Sequence, residues 1–237
     1  MREKIYNILK LVLGFLFFFY FGDIVVNLLK LVGIKVEDLS NLGTVIYQFV
    51  ISTFMFGFLL IIYFKNIKSD FLSFKKQVEK NIRYIIKMFF IFMITKYVVS
   101  VLSVIIMTVC GFDTSSMTSV NQNLIEMYVK ASPVLMFLSA AVLAPMYEEI
   151  LFRIGIGKVI RNKFLFVIIS CFIFGFMHVF PLEEGISLTL GLMQSITYVT
   201  MGIFLAYVYS KTGNIFMSIG LHFLNNLLSI LTMINML

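Results

Sequence analysis

The sequence contains few charged residues: Asp, Glu, Lys and Arg make up 13% of the chain, whereas 60% of its residues are hydrophobic. So low a charged fraction excludes the soluble globular classes and indicates an integral membrane protein. The chain also has only two cysteines, Cys110 and Cys171, and both lie in apolar segments. We interpret them as core thiols, because a disulfide framework or a cysteine metal site requires more than one isolated pair.

Long apolar runs dominate the rest of the chain. A membrane-spanning helix requires about 20 mostly apolar residues, and the sequence predicts seven such helices, at about 8–32, 43–64, 86–110, 132–160, 163–180, 186–209 and 214–236. The fourth run is long enough to divide at Pro145, so six to eight spans are compatible with the sequence. The predicted fold class is all-α, a polytopic membrane bundle of about seven transmembrane helices.

The net charge of +7 comes from basic residues that concentrate in alternate loops. If the N-terminus is cytoplasmic, the basic residues within 2–10, 65–87 and 153–163, together with Lys211, all fall on the cytoplasmic side, as the positive-inside rule requires. The rule accounts for the positive charge without a nucleic-acid partner, and none is predicted. We therefore expect a multi-pass protein of the cell membrane with its N-terminus in the cytoplasm.

Two segments raise questions of packing. In 65–87, apolar residues recur at helical spacing between lysines, which fits either an amphipathic helix on the cytoplasmic leaflet or a charged loop. Asp23 and Lys96 are opposite charges within the first and third apolar runs. Because an ionisable residue inside the bilayer needs a partner, we predict that these two side chains pair across the first and third helices. The alternative is a proton pathway, which the sequence favours less because it shows no third ionisable residue nearby.

Two adjacent carboxylates and an arginine, Glu148, Glu149 and Arg153, lie in the fourth apolar run. Glu149 and Arg153 are four residues apart, so they are expected to form an ion pair along one helical face. Successive helical residues point about 100° apart, so Glu148 faces elsewhere and lacks the arginine's compensation. Ionisable residues within the bilayer often mark functional sites, and an uncompensated carboxylate is suited to act as a general base.

The only two histidines of the chain, His178 and His222, lie in later apolar runs. At roughly 1.5 Å per residue, Glu148 and His178 are each about 20 Å from the nearest cytoplasmic turn, and His222 is about 16 Å from its own. Asn226 follows His222 by four residues and shares its helical face, so both could donate hydrogen bonds to an oxyanion. The matching depths predict one cavity in which these four side chains meet.

Each of these residues also has a purely structural interpretation. A single histidine or asparagine in a membrane helix is more often a hydrogen-bond partner for a neighbouring helix than a catalyst. A bis-histidine haem protein using His178 and His222 stays open at this point, as does a non-catalytic membrane partner that binds a peptide, a toxin or a sensor. The agreement in depth favours a shared catalytic site.

Three patterns occur in order: Glu-Glu-x-x-x-Arg at 148–153, Phe-x-x-x-His at 174–178 and His-x-x-x-Asn at 222–226. Together they resemble the CPBP family of intramembrane proteases, which includes CAAX-prenyl endopeptidases and bacteriocin-processing or immunity proteins and is also called the Abi family. The resemblance covers about residues 131–236. It divides the chain into N-terminal transmembrane helices with a cytoplasmic amphipathic segment, 1–130, and a CPBP-like catalytic helical core, 131–237.

The resemblance implies an intramembrane endopeptidase in which Glu148, helped by His178, activates water. Glu149 and Arg153 would orient and support Glu148. The remaining pair, His222 and Asn226, would stabilise the oxyanion.

The resemblance leaves the cofactor open, because the family has been described both as metalloproteases and as metal-independent glutamate proteases. The chain lacks His-Glu-x-x-His, but Glu148, His178 and His222 are candidate ligands for a divalent metal such as zinc. An asparagine at 226 suits an oxyanion better than zinc and favours metal-free water activation.

The expected partners are the lipid bilayer and a hydrophobic peptide or membrane-protein substrate. The composition is more like that of a bacterial family member, for which the resemblance implies a pheromone or bacteriocin precursor as substrate. The alternative is a bacteriocin immunity protein, or another non-catalytic membrane partner, that binds a peptide or sensor without cleaving it.

Overall fold

The computed structural model describes residues 2–111, 120–180, 182 and 188–235. Within them the chain forms eight α-helices and no strand. The helices are α1 (Arg2–Leu31), α2 (Asn41–Lys75), α3 (Val78–Val109), α4 (Val120–Ala131), α5 (Pro133–Val159), α6 (Lys163–Met177), α7 (Leu188–Thr212) and α8 (Ile215–Asn235). Six of them, all but α4 and α6, are long and apolar enough to cross a membrane. The predicted polytopic all-α bundle is confirmed.

The fifth predicted span is shorter than the sequence suggests. α6 has 15 residues and ends at Met177, so it extends about 22 Å at 1.5 Å per residue. The hydrocarbon core of a bilayer is about 30 Å thick, so α6 is too short to cross it. Its last residues and the turn that carries His178 consequently end inside the bundle.

The segment 65–87 forms neither a separate amphipathic helix nor a loop. α2 continues to Lys75, and α3 begins at Val78 after a turn at Lys76 and Gln77. The apolar positions of the segment are only partly covered: Ile85 is buried, and the rings of Phe71 and Phe74 lie 5.6 and 6.0 Å from that of Phe216 in α8. Phe71, Val78 and Ile82 remain exposed. The two long helices therefore run through the segment and are joined by the turn at Lys76 and Gln77.

α5 does not divide at Pro145, but it is irregular. Its turns are π-helical at Phe137–Leu143 and Ile150–Gly155, with an α-helical stretch at Ala144–Glu149 between them. Proline has no backbone N–H to donate within a helix, and the first π-helical stretch ends at Leu143, two residues before Pro145. π-Helical turns often occur at functional sites, and here they flank the stretch that carries Glu148 and Glu149.

α6 and α7 cross in close contact, which small residues permit. A Cβ atom added to Gly175 would lie 2.7 Å from the backbone nitrogen of Val199, and one added to Gly202 would lie 2.9 Å from Cα of Cys171. The close crossing fixes the end of α6, and hence His178, against α7.

The α7–α8 turn is fixed against α2. The backbone nitrogen of Ile215 donates to Asp70 Oδ2 at 2.9 Å, and Asn214 Nδ2 donates to the Asp70 carbonyl oxygen at 2.7 Å. Asp70 thus caps the N-terminal end of α8. The cap fixes α8, which carries His222 and Asn226, at the end of the bundle where α2 turns into α3.

Candidate active site

A cavity of about 600 Å³ lies within the bundle. It is lined by Glu148 from α5, His178 at the end of α6, and His222 and Asn226 from α8. The structure therefore brings these four predicted residues to one place. Glu149 and Arg153 lie next to the cavity and are fully buried.

Glu148 lines the cavity, and its Oε2 atom lies near both histidines. This oxygen lies 3.9 Å from His178 Nε2 and 3.9 Å from His222 Nε2, and it is buried without a hydrogen-bond partner in the part of the chain that the structure describes. A buried polar atom that is left unpaired is rare and calls for an explanation. Here it faces the cavity between the two imidazole rings.

The hydrogen bonds of both rings fix which nitrogen carries a proton. His178 Nδ1 donates to the Phe174 carbonyl oxygen at 2.7 Å, and His222 Nδ1 donates to Glu149 Oε1 at 3.2 Å. A carbonyl or carboxylate oxygen can only accept, so Nδ1 bears the hydrogen in each ring. In the neutral rings both Nε2 atoms are therefore acceptors, and they face a carboxylate that is also an acceptor. Such an arrangement requires a donor or a cation between them.

The separations are longer than those between two ligands of a tetrahedral zinc ion. Two ligands of one tetrahedral zinc ion lie about 3.4 Å apart, given bonds of about 2.0–2.2 Å, whereas the observed separations are 3.9 Å. Among the residues described, no group of three or more His, Cys, Asp or Glu side chains is arranged to hold a metal ion. A water that donates linearly at about 2.8 Å to two acceptors would hold them about 4.4 Å apart, so the observed separation lies between the two arrangements.

Glu149 and Arg153 form the ion pair predicted from their spacing, and it holds His222 in place. Arg153 donates to Glu149 Oε2 from Nε at 2.9 Å and to Oε1 from a terminal nitrogen at 3.3 Å. Arg153 also donates to Ser170 Oγ, whose hydroxyl donates in turn to the Phe152 carbonyl oxygen at 3.1 Å. Glu149, Arg153 and Ser170 thus all have hydrogen-bond partners inside the bundle. One oxygen of Glu149 also accepts from His222 Nδ1.

Aromatic contacts fix the ring of His178. Its centroid lies 4.6 Å from that of Phe174 and 4.7 Å from that of Tyr198, with the Tyr198 plane tilted by only 18°. Tyr198 comes from α7 and also lines the cavity. It was not among the predicted site residues, because nothing in the sequence distinguishes it from the other tyrosines.

The predicted Asp23–Lys96 pair is wrong. Lys96 Nζ instead donates to Asn225 Oδ1 at 3.2 Å, and Lys96 lines the cavity with Asn225 and Asn226. α1, which carries Asp23, packs against α2 and α5. Opposite charge in two apolar runs does not determine which helix faces meet, so the sequence could not establish the true partner.

Further polar residues of the site were missed. Asn225 adjoins a predicted residue, and Lys96 stands out as a cation in an apolar run, so both gave a signal. Ser139 gave none, yet its hydroxyl is buried in the cavity wall and has no hydrogen-bond partner among the described residues.

Comparison with known proteins gives one result for the C-terminal part of the chain. A family model described as type II CAAX prenyl endopeptidase Rce1-like matches residues 130–228. The searches of curated proteins and of solved structures gave no match. The matched segment includes all six predicted site residues, whereas Lys96 lies outside it.

Proposed function

We propose that this chain, whose residues 130–228 match the Rce1-like type II CAAX prenyl endopeptidase model, is an intramembrane endopeptidase that uses Glu148 to activate water. One observation carries the proposal. Glu148 Oε2 is buried, unpaired among the described residues, and 3.9 Å from the Nε2 atoms of two histidines in a cavity of a membrane bundle.

In the proposed reaction a water between Glu148 Oε2 and His178 Nε2 donates a hydrogen bond to each. As its oxygen forms a bond to the carbonyl carbon of the substrate, Glu148 takes one water proton and the carbonyl π electrons move onto oxygen. The resulting alkoxide then collapses: the C–N bond breaks, and the leaving nitrogen takes the proton from Glu148. The products are a carboxylic acid and an amine.

The alkoxide is stabilised from α8. Asn226 Nδ2 donates one hydrogen to the Ala140 carbonyl oxygen at 2.8 Å, so its second hydrogen is available to a ligand in the cavity. His222 can donate from Nε2 when it carries a proton on each ring nitrogen, and the Glu149 carboxylate, 3.2 Å from Nδ1, orients the ring. Donors fixed in advance toward a developing oxyanion are a large contribution to amide hydrolysis.

We propose that the reaction proceeds without a metal ion, because Asn226, on the same helix as His222, suits an oxyanion better than it suits zinc. A zinc ion bound by Glu148, His178 and His222 would supply Lewis-acid catalysis instead. A chelator distinguishes the two: activity of the purified protein should survive prolonged treatment with 1,10-phenanthroline, and loss of activity that zinc restores would contradict the metal-free reaction.

The cavity suits a hydrophobic peptide. Five methionines line it, at positions 136, 177, 193, 201 and 233, and methionine side chains adapt to varied apolar partners. We propose a peptide pheromone or bacteriocin precursor as the substrate, or another membrane protein. A methionine-lined cavity would equally serve a non-catalytic protein that binds a peptide or sensor, such as a bacteriocin immunity protein. The two functions differ in whether they need Glu148.

The test is comparative peptidomics of membranes containing wild type, Glu148→Gln or Glu79→Gln. Glu79 is an exposed glutamate on α3, so its variant controls for the loss of a carboxylate. We expect a precursor to accumulate with Glu148→Gln alone, and its cleavage site identifies the substrate. If the Glu148→Gln membranes match wild type in peptides and phenotype, the protease function is excluded and the binding function is favoured.

A further inference from the structure

Lys96 lines the cavity and forms no ion pair with any residue that the structure describes. It lies about 27 Å along α3 from Val78, at about 1.5 Å per residue, and therefore far from either end of the helix. Its one hydrogen-bond acceptor within the described residues is the neutral amide oxygen Asn225 Oδ1, 3.2 Å away. A cation at such a depth is costly unless charge of the opposite sign compensates it. A negative charge on what the cavity binds, or on what forms there, would compensate it.

A chain of hydrogen bonds joins Lys96 to Asn226. Lys96 Nζ donates to Asn225 Oδ1, Asn225 Nδ2 donates to Asn226 Oδ1 at 2.9 Å, and Asn226 Nδ2 donates to the Ala140 carbonyl oxygen at 2.8 Å. Both ends of the chain fix its direction, because an ammonium can only donate and a carbonyl oxygen can only accept. If the amide oxygen and nitrogen of Asn225 or Asn226 were exchanged, two donors or two acceptors would face each other.

The direction of this chain concentrates positive charge at Asn226 Nδ2. A cation at an amide oxygen polarises that amide, and hydrogen-bonded chains strengthen link by link in a poorly hydrated interior. The free hydrogen of Asn226 Nδ2 is therefore a stronger donor than that of an isolated asparagine. The increase in donor strength matters most when the acceptor is a negatively charged alkoxide. The alkoxide would also supply a negative charge to compensate Lys96.

We propose that Lys96 is a positioning residue for the oxyanion, acting through Asn225 on Asn226. The proposal rests on the proposed function, since it requires the alkoxide at Asn226. It assigns a role in the reaction to α3, which lies outside the segment that matches the protease family. A direct ion pair between Lys96 and a carboxylate of the substrate is the competing role, and it would affect substrate binding.

The kinetic test is a double-mutant cycle on purified protein in lipid nanodiscs. The probe is a quenched fluorescent peptide copied from the cleavage site that the Glu148→Gln comparison identifies. Lys96→Met, which keeps the length of the side chain, should lower kcat about tenfold to thirtyfold and leave KM unchanged; Lys96→Arg should restore most of kcat. In an Asn226→Ala background Lys96→Met should have no further effect, because residues that act through one another are not additive.

Two variants serve as controls. Lys87→Met removes an exposed lysine from the same helix and should leave kcat unchanged. Asn225→Leu breaks the middle of the chain and should lower kcat as Lys96→Met does, which keeps the test decisive if Lys96→Met does not fold. The positioning role would be overturned if the loss of kcat in the Lys96→Met/Asn226→Ala double variant equalled the product of the two single losses. A raised KM with unchanged kcat in Lys96→Met would overturn it as well. If Glu148→Gln is fully active, the proposed function itself fails.

A readout without turnover completes the test. The side-chain amide signals of Asn226 can be assigned in ¹⁵N-asparagine-labelled protein by their loss in Asn226→Asp. Lys96→Met should move these signals toward the positions of an unpolarised amide, and Lys87→Met should not. Signals that stay in place in Lys96→Met would contradict the chain of polarised hydrogen bonds even if no substrate were at hand.

Discussion

At the scale of single residues, the site depends on the hydrogen bonds that the Glu149 carboxylate accepts. Its two oxygens accept from Arg153 and from His222 Nδ1, so one carboxylate both neutralises the buried arginine and orients a histidine of the cavity. The side chains of Glu149 and Arg153 are both fully buried. A buried ion pair adds little net stability, but the loss of one partner leaves an uncompensated charge.

Arg153→Met should therefore lower the free energy of unfolding by about 3–5 kcal/mol. The control is Arg83→Met: Arg83 and Glu79 form an ion pair with the same spacing, but their side chains are 77% and 80% exposed. An exposed pair on a helix contributes at most about 0.5 kcal/mol. Equilibrium unfolding in mixed micelles compares the two, and equal effects would contradict the buried role of Arg153.

The sequence predicts some of these contacts and not others. The Glu149–Arg153 pair follows from spacing along one helix, and the shared depth of Glu148, His178 and His222 follows from distance to the turns. The contacts His222–Glu149 and Lys96–Asn225 join different helices. They depend on how each helix is rotated toward its neighbours, which the packing of the whole bundle decides.

At the scale of elements, the crossing of α6 and α7 places His178. Backbones approach most closely at Gly175 and Gly202, and the short α6 then ends where its last turn meets the cavity. The sequence indicates the small residue at 175. It does not reveal that α6 is only 15 residues long, because the apolar run continues past Met177 into the turn.

Gly175→Ala should destabilise the protein by about 1–3 kcal/mol, the usual cost of overpacking. The added Cβ would lie 2.3 Å from Val199 Cγ2 and 2.7 Å from the Val199 backbone nitrogen, so the helices must separate. Gly57→Ala is the matched control within α2, since nothing lies within 4 Å of its added Cβ. It should be neutral or stabilise by up to about 1 kcal/mol. Thermal unfolding of both variants in the same detergent tests the contrast.

At the scale of the whole molecule, basic residues gather at one end of the bundle. The α2–α3 turn and the α7–α8 turn meet there through Asp70 and Asn214, and exposed basic residues surround them, at 65, 68, 75, 76, 80, 83, 87 and 211. Cys110 is exposed at the opposite end of α3. From the positive-inside rule we propose that the basic end faces the cytoplasm.

A membrane-impermeant maleimide should therefore label Cys110 in intact cells. In a Cys110→Ser background, Lys76→Cys should be labelled only in inside-out vesicles, because it lies in the turn at the basic end. The buried Cys171 should react in neither preparation. Labelling of Lys76→Cys in intact cells would reverse the proposed orientation.

The measurement that bears most directly on the account is the cleavage rate of purified wild type and Glu148→Gln in nanodiscs prepared with H₂¹⁸O. Wild type should place one ¹⁸O atom in the new carboxyl group. The variant should retain the wild-type unfolding temperature but cleave about 10²–10⁴-fold more slowly, the usual contribution of a general base. Cleavage by Glu148→Gln within a fewfold of the wild-type rate would contradict water activation by this carboxylate.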